Sequence, residues 1–195
     1  MTPRQIAQAK NHPARGSIIT QQPITDKAKL EWIKESLADH PRNHALFICG
    51  INMAFRASDL LTLKVGDVKG DVIQRREKKT GKVREFYLNA AVKKAVAPLL
   101  ADRADDDFLF PSGQTGYALT VEAFSTMVKI WCFRAGLKGS YASHSLRKTW
   151  ARTQVDAGEP LYKISEALGH SSEKITRRYL GLDIEDMKSI YMREV

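Results

Sequence analysis

The residues Ala45–Phe55 are apolar on most sides, interrupted only by Gly50 and Asn52. The run is too short to cross a bilayer, so it reads as a central helix, led in by Pro41, that other elements must surround. Those elements follow from periodicity and punctuation. Thr25 or Asp26 is placed to cap a helix with Leu30, Ile33 and Leu37 at helical spacing. A short helix over Ser58–Leu63 begins just after Arg56, and Ala90–Leu100 forms another. Thr120 caps a helix with Val121, Phe124, Val128, Trp131 and Ala135 on one stripe. Ser143–Ala157 is stopped by Gly158, and Pro160–Leu168 is closed by Gly169. Ser171 or Ser172 caps Glu173–Leu180, and Ile184–Met192 makes a last helix. The period changes only over Val68–Leu88, where two β-type runs flank Lys79-Thr80-Gly81-Lys82 and Gly81 supplies the positive φ of a tight turn. The expected class is mainly α (α+β): one helical domain over residues 25–195 with a two- or three-stranded antiparallel sheet.

Residues 1–24 carry Arg4, Lys10 and Arg15 without an acid, with Pro3, Pro13 and Pro23 between them. They read as an extended basic arm that either touches a polyanion or is a plain tail. Across the chain 31 Lys and Arg face 22 Asp and Glu, a net charge of +9, which favours nucleic acid as partner. Cys49 and Cys132 lie inside apolar helical patterns and are expected as buried thiols. No secretory signal pattern opens the chain, so the expected location is cytoplasmic, at the nucleoid, with no membrane partner.

Four segments carry the chemistry. They are Phe55-Arg56-Ala57-Ser58-Asp59-Leu60-Leu61; the hairpin lysine in Lys79-Thr80-Gly81-Lys82; His144-Ser145-Leu146-Arg147; and Leu168-Gly169-His170 followed by Thr176-Arg177-Arg178-Tyr179. In this order, with 23 residues from Arg56 to Lys79, three from His144 to Arg147 and nine from His170 to Tyr179, they resemble the catalytic domain of the tyrosine recombinase (phage integrase) family. Taken singly, each residue has an ordinary reading. Tyr179 stands four after Ile175 and could pack into a core. Arg56 could pair with Asp59, His144 could open a helix, His170 could sit in a loop, and Lys79 could be solvated. The ordered set carries the resemblance.

Exchange of one phosphodiester for another needs a nucleophile, neutralisation of the phosphoryl oxygens and a proton for the leaving oxygen. A tyrosine can keep the bond energy as a phosphate ester, arginines can fork onto nonbridging oxygens, and lysine or imidazole can move protons. The resemblance implies Arg56 and Arg147 as phosphate clamps and Lys79 as general acid, with Lys78 and Lys82 close enough to compete. It implies His144 as proton acceptor or positioner, His170 on the phosphate, Tyr179 as nucleophile and Asp59 as a buttress. Lys78, Lys82, Lys148 and Arg177 are expected against DNA. No cluster of acids and no Cys/His spacing suggests a metal, so no metal and no cofactor are expected.

The implied activity is site-specific cleavage and rejoining of double-stranded DNA through a 3′-phosphotyrosyl intermediate, within a tetramer on two sites, with DNA-bending accessory proteins as further partners. Two other classes stay open: a noncatalytic DNA-binding accessory of the same fold, and a relaxing topoisomerase of the related tyrosine type. In one respect the chain departs from the family. Complete integrases usually carry an additional N-terminal helical domain, whereas 24 residues precede the pattern here. The chain is thus read either as a short member with no separate core-binding domain or as a fragment.

Overall fold

The computed structural model describes residues 21–76, 83–113, 115–182, 191–192 and 194. Backbone contacts divide the chain into two units, Met1–Trp150 and Ala151–Val195. Residues 77–82, most of the expected arm and nearly all of the expected last helix lie outside the described residues.

In the first unit, Asp26 accepts the Lys29 amide at 3.0 Å and starts α1 (Lys27–Ser36). Pro41 opens α2 (Pro41–Asn52), in which every residue from Ala45 to Gly50 is buried. The apolar run is the central helix as far as Asn52, and Met53–Phe55, expected within it, leave the helix as buried extended chain. A short α3 (Ala57–Leu61) follows, with Arg56 in extended conformation at its N-cap. Strands β1 (Val72–Arg76) and β2 (Val83–Tyr87) pair antiparallel, Ile73 opposite Phe86 and Arg75 opposite Arg84. The sheet has two strands. Its inner face is set by Ile73, 1 % exposed, and by Phe86, whose ring stacks on Phe55 at 4.0 Å between centroids.

Asn89 caps α4 (Ala90–Val96), which tightens into a 3₁₀ turn over Ala97–Leu99 instead of running on as one α-helix to Leu100. Pro98 explains the difference: it has no N–H for the α ladder, and its ring crowds the carbonyl four residues back. Thr120 accepts the Ala123 amide and starts α5 (Val121–Arg134). Phe124, Val128, Trp131 and Ala135 are buried as the stripe demands, while Val121 at its upper end stays 36 % exposed. Trp131 meets Phe47 and Phe124 edge-on.

Helix α6 (Ser143–Asp156) carries the His-x-x-Arg sequence, and its place is fixed by two contacts. One is steric. A Cβ on Gly50 would lie 2.6 Å from Leu146 Cδ1 and 3.1 Å from Leu146 Cβ, so only glycine lets α2 and α6 approach this closely. The other is polar: Thr149 Oγ1 donates to the Ser145 carbonyl and accepts the Ile24 amide, both at 2.8 Å. Ile24 is 2 % exposed and belongs to the core cluster. Residues 21–24 therefore differ from the expected arm, because Ile24 has apolar area to bury and a hydroxyl to take its amide.

In the second unit, α7 (Leu161–Leu168) ends on Gly169, whose φ of 63° is the left-handed conformation glycine adopts without strain. Gly169 N–H donates to the Glu166 carbonyl at 2.8 Å and His170 N–H to the Ser165 carbonyl at 2.9 Å, turning the chain into α8 (Glu173–Leu180). Ser172 stands at the N-cap of α8 without a side-chain capping bond. Among the described residues no helix is long and apolar enough to cross a membrane. Cys49 and Cys132 are buried thiols, and burial pushes both up to about 12.

The approach at Gly50 is testable. Alanine would gain about 1 kcal/mol of helix propensity, but overpacking against Leu146, itself 1 % exposed, costs typically 1–3 kcal/mol. Gly50→Ala should therefore be destabilised by about 1 kcal/mol in urea unfolding; a stabilised variant would show that α2 and α6 are not in tight contact there.

Candidate active site

In the first unit the arginine box and the His-x-x-Arg helix meet. Met53–Phe55 are buried, and the chain emerges at Arg56, whose side chain is exposed at the start of α3. Arg147 is 4 % exposed, and its Nη1 donates to the Ala54 carbonyl, two residues before Arg56. A buried guanidinium needs such an acceptor. The bond ties the second arginine of the sequence pattern to the loop that carries the first. Phe55 stacks on Phe86 of β2, and the Arg84 guanidinium lies 4.9 Å from the Phe86 ring centroid, so the hairpin is anchored to the same loop.

His144 is exposed in the first turn of α6. Partial desolvation of its ring, then the positive charges of Arg147, Lys148 and Arg56, hold its pKa below the usual histidine value. The imidazole is thereby kept neutral at neutral pH, the form that can take a proton. The first turn is braced by Ser143, whose hydroxyl lies 2.8 Å from that of Ser125 on α5, and by Ser145, which accepts the Ala142 amide at 3.1 Å.

Two further expected residues, Lys148 and Asp59, belong to the same unit. Lys148, expected against DNA, is 5 % exposed on α6, and burial lowers its pKa. Like Arg147, it is a buried cation next to the loop-and-helix cluster. Asp59 is half-buried and accepts the Ser58 hydroxyl at 3.4 Å, and among the described residues no ion pair joins it to Arg56. Its negative charge in the first turn of α3 suits the helix dipole.

The second unit holds His170 and Tyr179. Their rings meet edge to face, with centroids 5.2 Å apart and planes at 78°. The buried stripe of α8 is Thr176 and Leu180, while Ile175 is 45 % exposed. Tyr179 is thus half-buried against His170, not a core tyrosine paired with Ile175. His170 Nδ1 lies 2.8 Å from Thr176 Oγ1, which in turn accepts from Ser165 Oγ at 2.8 Å. Arg177 is half-buried in the last turn of α8. Lys78, Lys79 and Lys82 lie outside the described residues. Among the described residues no group of three or more His, Cys, Asp or Glu could hold a metal ion.

Sequence reasoning missed Ala54, Ser165 and Thr176. Ala54 acts through its backbone, which no side-chain pattern announces. Thr176 was legible in principle, since it stands one helical turn before Tyr179 and six residues after His170.

The electrostatics of His144 give a measurable sign. Its NMR titration midpoint should lie below the ordinary value of about 6.5, and Arg147→Gln or Arg56→Gln should move it upward, because each removes a positive charge. Stability from this group is present above the ordinary value and is lost as pH falls through the histidine range, since the unfolded chain takes the proton first. A midpoint at or above the ordinary value would contradict the charge cluster.

Residues 38–185 match the model of the phage integrase family. A probable integrase/recombinase, YoeC of Bacillus subtilis (strain 168), is 30% identical over 172 residues, which cover 87% of this chain and 94% of that protein. Tyrosine recombinase XerC of Rhodospirillum centenum is 31% identical over 157 residues, 77% of this chain but 45% of the relative, so the chain spans about half of that protein. Among solved structures, XerA recombinase superposes with a TM-score of 0.74 at 21% identity over 94% of this chain and 67% of the other. XerH site-specific recombinase bound to its difH substrate gives 0.70 at 24% identity over 93% and 56%. These likenesses establish the helical fold with its small sheet. The chain belongs to the phage integrase family of tyrosine recombinases.

Proposed function

We propose that the chain cleaves and rejoins double-stranded DNA at specific sites, with Tyr179 as nucleophile. The phenolic oxygen forms a bond to phosphorus while the bond from phosphorus to the 5′ oxygen breaks. The product is a 3′-phosphotyrosyl linkage and a 5′ hydroxyl. Arg56 and Arg147 neutralise the nonbridging oxygens as charge develops. Neutral His144 accepts or positions the proton that leaves Tyr179, His170 contacts the phosphate, and Lys79 gives a proton to the departing 5′ oxygen. Attack by a 5′ hydroxyl of a partner duplex reverses the step and completes exchange. A tetramer on two DNA sites, helped by proteins that bend DNA, would provide that partner.

The observation that carries this reading is the cluster of the first unit. An exposed Arg56, an imidazole held neutral, and an Arg147 anchored to the Arg56 loop form a cationic site with a proton acceptor. The net charge of +9 supports a polyanionic substrate, as do relatives of the same fold captured on DNA, XerH on difH and a lambda integrase dimer on a core site.

A half-site DNA nicked next to the cleavage point loses its 5′ fragment by diffusion and should trap an adduct that survives denaturation. Tyr179→Phe should abolish the adduct with DNA affinity unchanged, because only the attacking oxygen is removed. Adduct at the wild-type level in this variant would exclude Tyr179 as the nucleophile.

A further inference from the structure

His170 has its backbone and its ring held by the same pair of hydroxyl-bearing residues. Its N–H donates to the Ser165 carbonyl, and its Nδ1 lies 2.8 Å from Thr176 Oγ1. Ser165 is 5 % exposed and Thr176 0 %, so water is largely kept from competing for these hydroxyls. Each hydroxyl has one proton to give. Ser165 Oγ donates to Thr176 Oγ1 at 2.8 Å, leaving the proton of Thr176 for the acceptor beside it, Nδ1 of His170. A neutral imidazole that accepts at Nδ1 carries its proton on Nε2.

We propose that Thr176, oriented by Ser165, is a positioning residue that locks His170 in the Nε2–H tautomer, so that the second histidine offers an N–H donor to the phosphate. The proposal rests on the recombinase reading of His170. A phosphate oxygen is an acceptor only, so an unprotonated Nε2 would repel it, whereas Nε2–H gains a charge-assisted hydrogen bond. The competitor is the Leu161 carbonyl, also 2.8 Å from Ser165 Oγ. That carbonyl already receives the helical N–H from four residues on. If it captured the Ser165 proton, the chain of donors would run backwards and His170 would be Nδ1–H. The edge-on contact with Tyr179 holds the ring plane while Thr176 sets its protonation.

The test is a two-bond ¹H–¹⁵N correlation spectrum of the full chain labelled at histidine, recorded without DNA above the histidine titration range. The His170 signal is assigned from its loss in His170→Gln. The wild type should show Nε2–H. Thr176→Ser keeps the hydroxyl and should keep that tautomer and the cleavage rate. Thr176→Val has nearly the same shape but no proton to give. It should show a mixture of tautomers and cleave more slowly by about tenfold or more. Ser165→Ala removes the donor that orients Thr176 without touching His170, and should shift His170 toward Nδ1–H even if the valine variant folds poorly. An Nδ1–H signal in the wild type overturns the proposal, as does wild-type cleavage by a Thr176→Val protein whose tautomer has changed. An Nε2–H signal in a chain that forms no Tyr179 adduct upholds the lock and overturns the recombinase reading instead.

Discussion

The guanidinium of Arg147 is buried, and a buried charge must be met by acceptors or it destabilises the fold. One acceptor is the Ala54 carbonyl, at the point where the central helix gives way to the extended chain leading to Arg56. The bond can form because α6 lies hard against α2, and it lies there because Gly50 presents no Cβ to Leu146. Helix packing, a backbone carbonyl and a permanent charge thus combine to place both arginines of the pattern from one loop and one helix. In the proposed reaction, a cation anchored to the backbone in this way is preorganised for the charge that develops on the phosphate.

The same loop anchors the hairpin. Phe55, between Ala54 and Arg56, stacks on Phe86, which stands opposite Ile73. Farther along β1, Arg75 is paired with Asp67 at 2.6 Å, which offsets the unfavourable position of Arg75 opposite Arg84. The apolar residues before the arginine box therefore do more than fill a core: they fasten the strand pair β1 and β2 to the loop that carries Arg56. In the second unit hydroxyls take this organising part, with Ser165 and Thr176 holding the ring of His170 beside Tyr179.

Much of this was legible in the residues. An apolar run with almost no polar face reads as a buried helix, and it is one from Ala45 to Asn52, although its last three residues leave the helix. Capping at Asp26 and Thr120 and the glycine stop at Gly169 appear as local chemistry dictates, since each answers to its own few neighbours. What the sequence concealed depends on distant partners or on the backbone. Ile24 looked like part of a tail until Thr149, 125 residues away, took its amide. Lys148 stands one helical turn after His144, yet His144 is exposed and Lys148 is buried, a difference that periodicity alone cannot tell. The Ala54 carbonyl has no side chain to read. Gly50 looked like a flaw in an apolar run, yet it is the place where two helices touch.

The account stands on Arg147 acting as a rigid fork, not merely as a positive charge. Lysine keeps the charge but loses the planar, bidentate geometry and the reach that joins the Ala54 carbonyl to a phosphate. Single-turnover cleavage of a nicked half-site by Arg147→Lys, measured with the DNA fully bound, is the most direct test. The rate should fall by about tenfold or more, each decade being about 1.4 kcal/mol of lost transition-state stabilisation. An unaltered rate in a folded Arg147→Lys protein would mean that Arg147 does not grip the phosphate as the bond to the 5′ oxygen breaks.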